Sequence, residues 1–73
     1  MTWTAVESSA LQAAGYAESQ ALLYLLFRSG EVYRYFDVAR RQYEEFLEAD
    51  SKGRYFGRNI RGRFLYERMR RRG

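Results

Sequence analysis

Apolar and polar positions follow two different rhythms along this chain, and each change of rhythm marks an element. From 21 to 36 the rhythm is that of extended chain. "ALLYLLF" (21–27) and "EVYRYF" (31–36) are short, rich in leucine, valine and aromatic residues, and separated by "RSG" (28–30). Both predict strands. From 38 to 49, "VARRQYEEFLEA" places apolar residues at Ala39, Tyr43, Phe46 and Leu47. That is the i, i+4, i+7, i+8 stripe of an amphipathic helix. Asp37 stands just before it and predicts the N-cap, because a carboxylate there accepts from the first free amides. "VESSALQAAGY" (6–16) predicts a weaker first strand that ends in a turn at Gly15, and "AESQ" (17–20) a polar connection. "RFLYERM" (63–69) alternates as a fourth strand. The fold class is therefore α+β: a small antiparallel meander sheet of three or four strands, one amphipathic helix packed on a face, and a short second helical segment near the C-terminus. One domain spans 4–69, and "RRRG" (70–73) is a basic tail.

The "RSG" link sets the register of the central hairpin. A two-residue Ser29-Gly30 turn fits poorly: type I′ needs positive φ at the serine, and type II′ needs glycine first. A three-residue loop with Gly30 in the left-handed position satisfies both residues. Phe27 then faces Glu31, Leu25 faces Tyr33 and Leu23 faces Tyr35. One face carries Leu23, Leu25, Phe27, Tyr33 and Tyr35. The other carries Leu22, Tyr24, Leu26, Val32, Arg34 and Phe36, with Tyr24 opposite Arg34 and within reach of a cation–π contact.

"DSKGRYFGRNIRG" (50–62) opens on Ser51 as a predicted cap and ends at Gly62, a suitable residue to close a helix. At roughly 100° per residue, Arg54, Arg58 and Arg61 fall in one narrow arc and Phe56 and Ile60 lie opposite. Gly53 and Gly57 weaken a helix here by about 1 kcal/mol each relative to alanine.

Charge changes this picture most. Residues 1–51 hold four arginines against eight acids, a balance of −4; residues 52–73 hold Lys52 and eight arginines against Glu67 alone, a balance of +8. A polyanion binder carries such a footprint. Composition mainly excludes. The chain of 73 residues has no cysteine and no histidine, which removes disulfides, zinc fingers and imidazole sites together. No cofactor and no metal are expected. A chain this short must build a dense core or self-associate, and an aromatic content of 18% suits the former. No apolar run approaches the ~18 residues that span a bilayer, and no charged segment precedes "ALLYLLF". The expected setting is the cytoplasm, with no membrane partner.

Taken in order, "SSALQAAGY", "LLYLLFRSGEVYRYFDV" and "EADSKGRYFGRNIRGRFLYERM" resemble the KTSC domain, the small domain named after the C-terminus of certain lysyl-tRNA synthetases and also found as a stand-alone bacterial protein. Tyr33-Arg34-Tyr35 corresponds to the family's central Y-x-Y. Ser51, Gly53, Tyr55, Phe56, Ile60 and Arg61 match its S-x-G-x-Y-F…I-R segment. The resemblance covers roughly residues 6 to 69. One departure is Ala39, where the family usually has proline, which pre-sets a first helical turn. The resemblance implies the fold and assigns no activity; the synthetase connection points towards RNA.

The candidate sites follow. Tyr33 and Tyr35 either form a stacking platform, as in sheet-based RNA binders, or belong to the core. Their neighbours Leu23, Leu25 and Phe27 favour the core. Lys52, Arg54, Arg58, Arg61 and Arg63, with the arginines of 68–72, are candidates for phosphate contact, and Tyr55 sits at the edge of their arc where a base can stack. Some of this cluster can instead pair with Glu44, Glu45 and Glu48, Arg61 first among them. The face of Leu22, Leu26, Val32 and Phe36 is too apolar to leave in water, so either the C-terminal segment or a second copy covers it. With no His or Cys, the usual general bases and thiol nucleophiles are missing. The expectation is a non-catalytic module that contacts RNA backbone through its C-terminal arginines. The alternative is a protein-interaction or homodimerisation domain using the apolar face. A His-free ribonuclease using Tyr55, Arg61 and Glu67 is a lesser one.

Overall fold

The computed structural model describes residues 1–69; the basic tail 70–73 lies outside the described residues. Five strands form a single antiparallel meander in the order β1-β2-β3-β4-β5: β1 (Thr4–Ala5), β2 (Leu11–Ala17), β3 (Leu22–Phe27), β4 (Val32–Tyr35) and β5 (Tyr66–Met69). Helix α1 (Arg40–Glu48), the short helix α2 (Lys52–Tyr55) and a π-helical turn (Phe56–Ile60) are inserted between β4 and β5.

The central hairpin folds as its loop dictates. The Phe27 N–H donates to the Glu31 carbonyl at 2.9 Å, Gly30 N–H donates back to Phe27 O at 2.9 Å, and Gly30 takes φ +97°. Leu23 pairs with Tyr35, Tyr24 with Arg34 and Leu25 with Tyr33. The cation–π contact of Arg34 is made to Phe36, 5.6 Å from guanidinium carbon to ring centroid, and not to Tyr24.

The sheet has five strands: the C-terminal segment supplies the expected fourth, and the N-terminal residues add a fifth. The strand expected over 6–16 forms only from Leu11, because the Ser8 hydroxyl accepts from the Ala10 and Leu11 amides at 3.2 and 3.3 Å and turns the chain before it. The residues before that turn come back as β1, with Thr4 opposite Ala14 and Ala5 opposite Ala13. Gly15 makes no turn. It lies within β2 opposite Tyr24, where a Cβ would meet the Met1 sulfur at 2.8 Å. The chain reverses later, through a 3-10 turn at Glu18–Gln20 that ends on Ala21 at φ +55°. At the other end, the strand expected from 63 begins only at Tyr66 and pairs Tyr66 with Tyr35 and Glu67 with Arg34.

Asp37 does not cap α1. It sits at φ +60°, and the helix starts three residues on, with Ala39 as N-cap. The Ala39 N–H is met by the Gln42 side-chain oxygen at 3.3 Å, a bond made from inside the helix. Ser51 does cap α2, accepting from the Arg54 amide at 3.2 Å.

The core lies between one sheet face and these helices. Leu11, Leu23, Leu25, Val38, Phe46 and Ile60 have no exposed surface; burying a side chain of this size contributes about 1.5–3 kcal/mol. Tyr16 stacks on Tyr43 at 5.2 Å, and its hydroxyl donates to the Val38 carbonyl at 2.6 Å. That bond ties the α1 entry to β2. The opposite face is covered neither by the C-terminal segment, which joins the sheet as β5, nor left open throughout. Trp3 packs edge-on against Tyr24 at 6.4 Å and Met1 lies over Gly15. Leu22 is buried, while Leu26, Val32 and Phe36 are half-buried. Among the described residues no helix is long and apolar enough to cross a membrane.

Candidate nucleic-acid interface

Among the described residues the arginines fall into two groups, apart from Arg28 of the hairpin loop, which forms no ion pair and donates to the Ser8 carbonyl at 2.7 Å. On the sheet and on α1 they are matched with glutamates. Arg34 pairs with Glu67, Arg40 with Glu18 at 2.6 Å and Glu44 at 3.0 Å, Arg41 with Glu45 at 3.5 Å, and Arg68 with Glu31 at 2.8 Å. On the segment 52–63 the pairing stops. Among the described residues, Lys52, Arg54, Arg58, Arg61 and Arg63 form no ion pair. Of the α1 glutamates that were possible partners, Glu44 and Glu45 are engaged by the arginines one turn before them, and Glu48 forms no ion pair among the described residues. Arg61 is therefore not the structural ion-pair residue it was expected to be.

These five cations do not form one arc. Arg54 and Arg58 are exposed and border a shallow groove of about 270 Å³ with Ser51, Tyr55 and Asn59, into which Asp50 also faces. Arg61 is exposed but lines a different cavity. The π turn separates them. The Arg61 amide donates to the Phe56 carbonyl at 2.8 Å, five residues back. A wider turn advances each residue by less than the 100° of an α-helix, so Arg61 lags behind the arc. Ile60 stays buried under the turn. Gly62 at φ +77° then redirects the chain towards β5.

Two of the predicted contacts also support the fold. Lys52 Nζ donates to the Ala49 carbonyl at 2.9 Å, satisfying a free carbonyl just past the end of α1. Arg63 Nε donates to the Arg58 carbonyl at 2.9 Å. Neither bond neutralises the cation. Tyr55 is held more firmly: its ring packs edge-on against Phe46 at 6.2 Å and its hydroxyl donates to Glu45 at 2.8 Å. Burial, then the nearby carboxylate, push its phenol up to about 12. It lines the groove of Arg54 and Arg58 as a fixed wall.

The cavity beside Arg61 was not foreseen. It measures about 330 Å³, and its sheet side is formed by Tyr33, Tyr35 and Tyr66. Tyr66 contacts both other rings, at 5.6 Å from Tyr33 and 5.5 Å from Tyr35, tilted by 33° and 31°. Phe56 closes the helical side, edge-on to Tyr35 at 5.7 Å. The two tyrosines of the Y-x-Y triplet thus differ. Tyr35 is core, 4% exposed, while Tyr33 is a half-buried wall of the cavity. Burial, with Tyr33 and Tyr66 alongside, pushes the Tyr35 phenol up to about 12, partly offset by the Arg61 charge. Tyr66 is 56% exposed. Sequence reasoning passed it over, although alternation in 63–69 puts it on the Tyr35 side once β5 pairs with β4.

Catalytic grouping of Tyr55, Arg61 and Glu67 is not what the fold provides. Glu67 lies with Arg34 on the face of the sheet away from Arg61, and Tyr55 is bonded to Glu45. Among the described residues, no group of three or more acids is placed to hold a metal ion.

The sequence pattern of the KTSC domain matches residues 7–64. A protein of Tsukamurella paurometabola is 39% identical over 59 residues, 81% of this chain and 88% of its own length. A lysine–tRNA ligase of Nostoc sp. is 41% identical over 63 residues, which make up 86% of this chain and 11% of the ligase. Among solved structures, a KTSC domain protein from Yersinia pestis superposes with a TM-score of 0.90 at 34% identity, covering 93% of this chain and 96% of that one.

Proposed function

Since the chain belongs to the KTSC domain family, whose pattern also occurs within lysine–tRNA ligases, we propose that it is a non-catalytic module that binds single-stranded RNA through the segment 52–63. One observation carries this: the arginines elsewhere among the described residues are largely matched with glutamates, while Arg54, Arg58 and Arg61 are exposed and unmatched. Uncompensated cations on one segment repel one another and contribute nothing to the core, so their grouping suits an external polyanion. Guanidinium forks meet phosphate oxygens bidentately. Lys52 and Arg63, bonded only to carbonyls, add to the same field. The whole ligase's activity is not carried over, because the shared region is 11% of its length.

Pairing of the far sheet face with a second copy is the weaker reading. Met1 and Trp3 already lie over Gly15 and Tyr24 there, and Leu22 is buried within the single chain.

The test is binding of a labelled single-stranded RNA over a range of salt. Each phosphate neutralised on a single strand contributes about −0.7 to the log–log slope, so three contacts give about −2 and five about −3.5. An affinity unchanged between low and high salt ends the proposal.

A further inference from the structure

We infer that the cavity formed by Tyr33, Tyr35, Tyr66, Phe56 and Arg61 is a subsite for one unpaired base of the bound RNA, the base lying against Tyr66 and its phosphate held by Arg61; this rests on the RNA-binding function proposed above. Four observations converge on it. The volume, about 330 Å³, is at the small end of ligand pockets, which run from about 300 to 1,000 Å³. It has room for one nucleotide and not for a folded partner.

The lining is the second observation. Five aromatic residues line the cavity, and Ser29, Glu31, Arg61 and the tyrosine hydroxyls make its surface substantially polar as well. Tyr66 leaves more than half its surface to solvent although it is wedged against two other rings. An exposed tyrosine that its neighbours hold in place has little rotamer freedom left to lose when a second ring stacks on it. Among the described residues, the hydroxyls of Tyr33 and Tyr35 have no protein hydrogen-bond partner, and no buried side-chain oxygen or nitrogen is unsatisfied. These phenols therefore meet water at the cavity, where the edge of a base can replace it.

The third observation is the unmatched Arg61 at its wall. Glu31 also lines the cavity, but its carboxylate is paired with Arg68 at 2.8 Å and forms no ion pair with Arg61. The fourth is continuity. At 1.5 Å per residue, Arg54 to Arg61 covers at most about 10 Å along the segment, short enough for neighbouring phosphates of one strand to reach both ends. A strand whose base enters the cavity passes Arg61 first and then the groove of Arg58 and Arg54. The π turn sets Arg61 at the cavity while Arg54 and Arg58 stay at the groove, so one strand would have to cross the turn to touch both. Such turns recur at functional sites.

The experiment follows the ring protons of Tyr33, Tyr66 and Phe56 and the amides of Arg54 and Arg58 by NMR in the full chain. The probes are adenosine 5′-monophosphate, ribose 5-phosphate and octa-adenylate RNA. The expected result is that the nucleotide moves the ring signals and the baseless ribose 5-phosphate does not. Tyr66→Ala should weaken octa-adenylate binding by roughly 5- to 150-fold, the equivalent of one base stack at about 1–3 kcal/mol, with the salt slope unchanged. Tyr66→Phe should keep affinity within about twofold, since stacking uses the ring face. Octa-adenylate that shifts the Arg54 and Arg58 amides but not the rings, with Tyr66→Ala binding as the parent does, overturns the base subsite and leaves the RNA-binding function standing. So does a Tyr66→Phe loss as large as that of alanine. Octa-adenylate that does not bind at all overturns the function itself, and the cavity then stands or falls by the nucleotide arm.

Discussion

Removing two arginines from different helices separates a local binding surface from the effect of overall charge. Arg54→Gln with Arg58→Gln takes two unmatched guanidiniums from the proposed interface. Arg40→Gln with Arg41→Gln takes two that are matched with Glu18, Glu44 and Glu45 on and beside α1. Net charge falls equally in both. With five contacts, affinity for single-stranded RNA should drop roughly 130-fold between 50 and 200 mM salt, because a slope of about −3.5 acts over 0.6 of a decade. The Arg54/Arg58 variant should lower that slope to about −2.1, a drop of roughly 20-fold over the same range. The α1 variant should keep the parent slope. It sacrifices exposed i, i+4 pairs, which contribute little in water, so its melting temperature should fall only slightly. The interface variant should melt as the parent does, since neither side chain makes an ion pair among the described residues and Arg63 is held by the Arg58 carbonyl, not its guanidinium. Fluorescence anisotropy at four salt concentrations reads both. Equal slopes for the two variants would mean that total charge governs binding, and the assignment to the segment 52–63 would be wrong.

Two further outcomes concern stability. The phenols of Tyr35 and Tyr55 are pushed up to about 12 from an unfolded value near 10, so the folded state holds these protons more tightly. Their contribution is fully present below about pH 10 and is lost as pH rises from about 10 to 12. The melting temperature should decline over that window, less steeply in Tyr55→Phe; a flat profile to pH 11.5 would contradict both burials. Ala39→Pro tests the helix entry. Ala39 already has φ −67°, which proline prefers, and stiffening the unfolded chain is worth about 0.4–1 kcal/mol. Against this stands the exposed bond from its amide to Gln42. Chemical denaturation should show a change between zero and about +0.5 kcal/mol, and a loss above about 1 kcal/mol would show that the Gln42 bond, not backbone conformation, sets the start of α1.

The parts of this fold that were legible in the sequence are those where local chemistry and tertiary packing agree. Gly30 allowed only one plausible loop, and that loop fixed the partner of every residue from Leu23 to Tyr35. The Tyr43, Phe46 and Leu47 stripe announced α1 for the same reason. Asp37 misled because a good capping side chain is also one of the few that tolerates positive φ, and the chain uses that second property. The stretch 6–16 looked continuous because alternation does not reveal a serine hydroxyl turning the backbone. In 52–63 the charge was plain, but its division was not. A fixed 100° step places Arg61 beside Arg58, and only a bond reaching five residues back separates them. Tyr66 became part of a site only through its pairing with Tyr35, a long-range contact that no local window contains.

The insertion of both helices between β4 and β5 has a consequence for the order in which the molecule assembles. The first four strands are each joined to the next by a short connection, so they can zip from their turns at little loop-closure cost. Tyr66, by contrast, must find Tyr35 across the whole 36–65 excursion, and such distant pairing is slow to form. The last strand therefore docks onto a nearly finished body, and as an edge strand it can open without the central hairpin. Because it carries Tyr66, the aromatic cavity exists only while that final edge is closed, and local fraying alone can dismantle it without unfolding the rest.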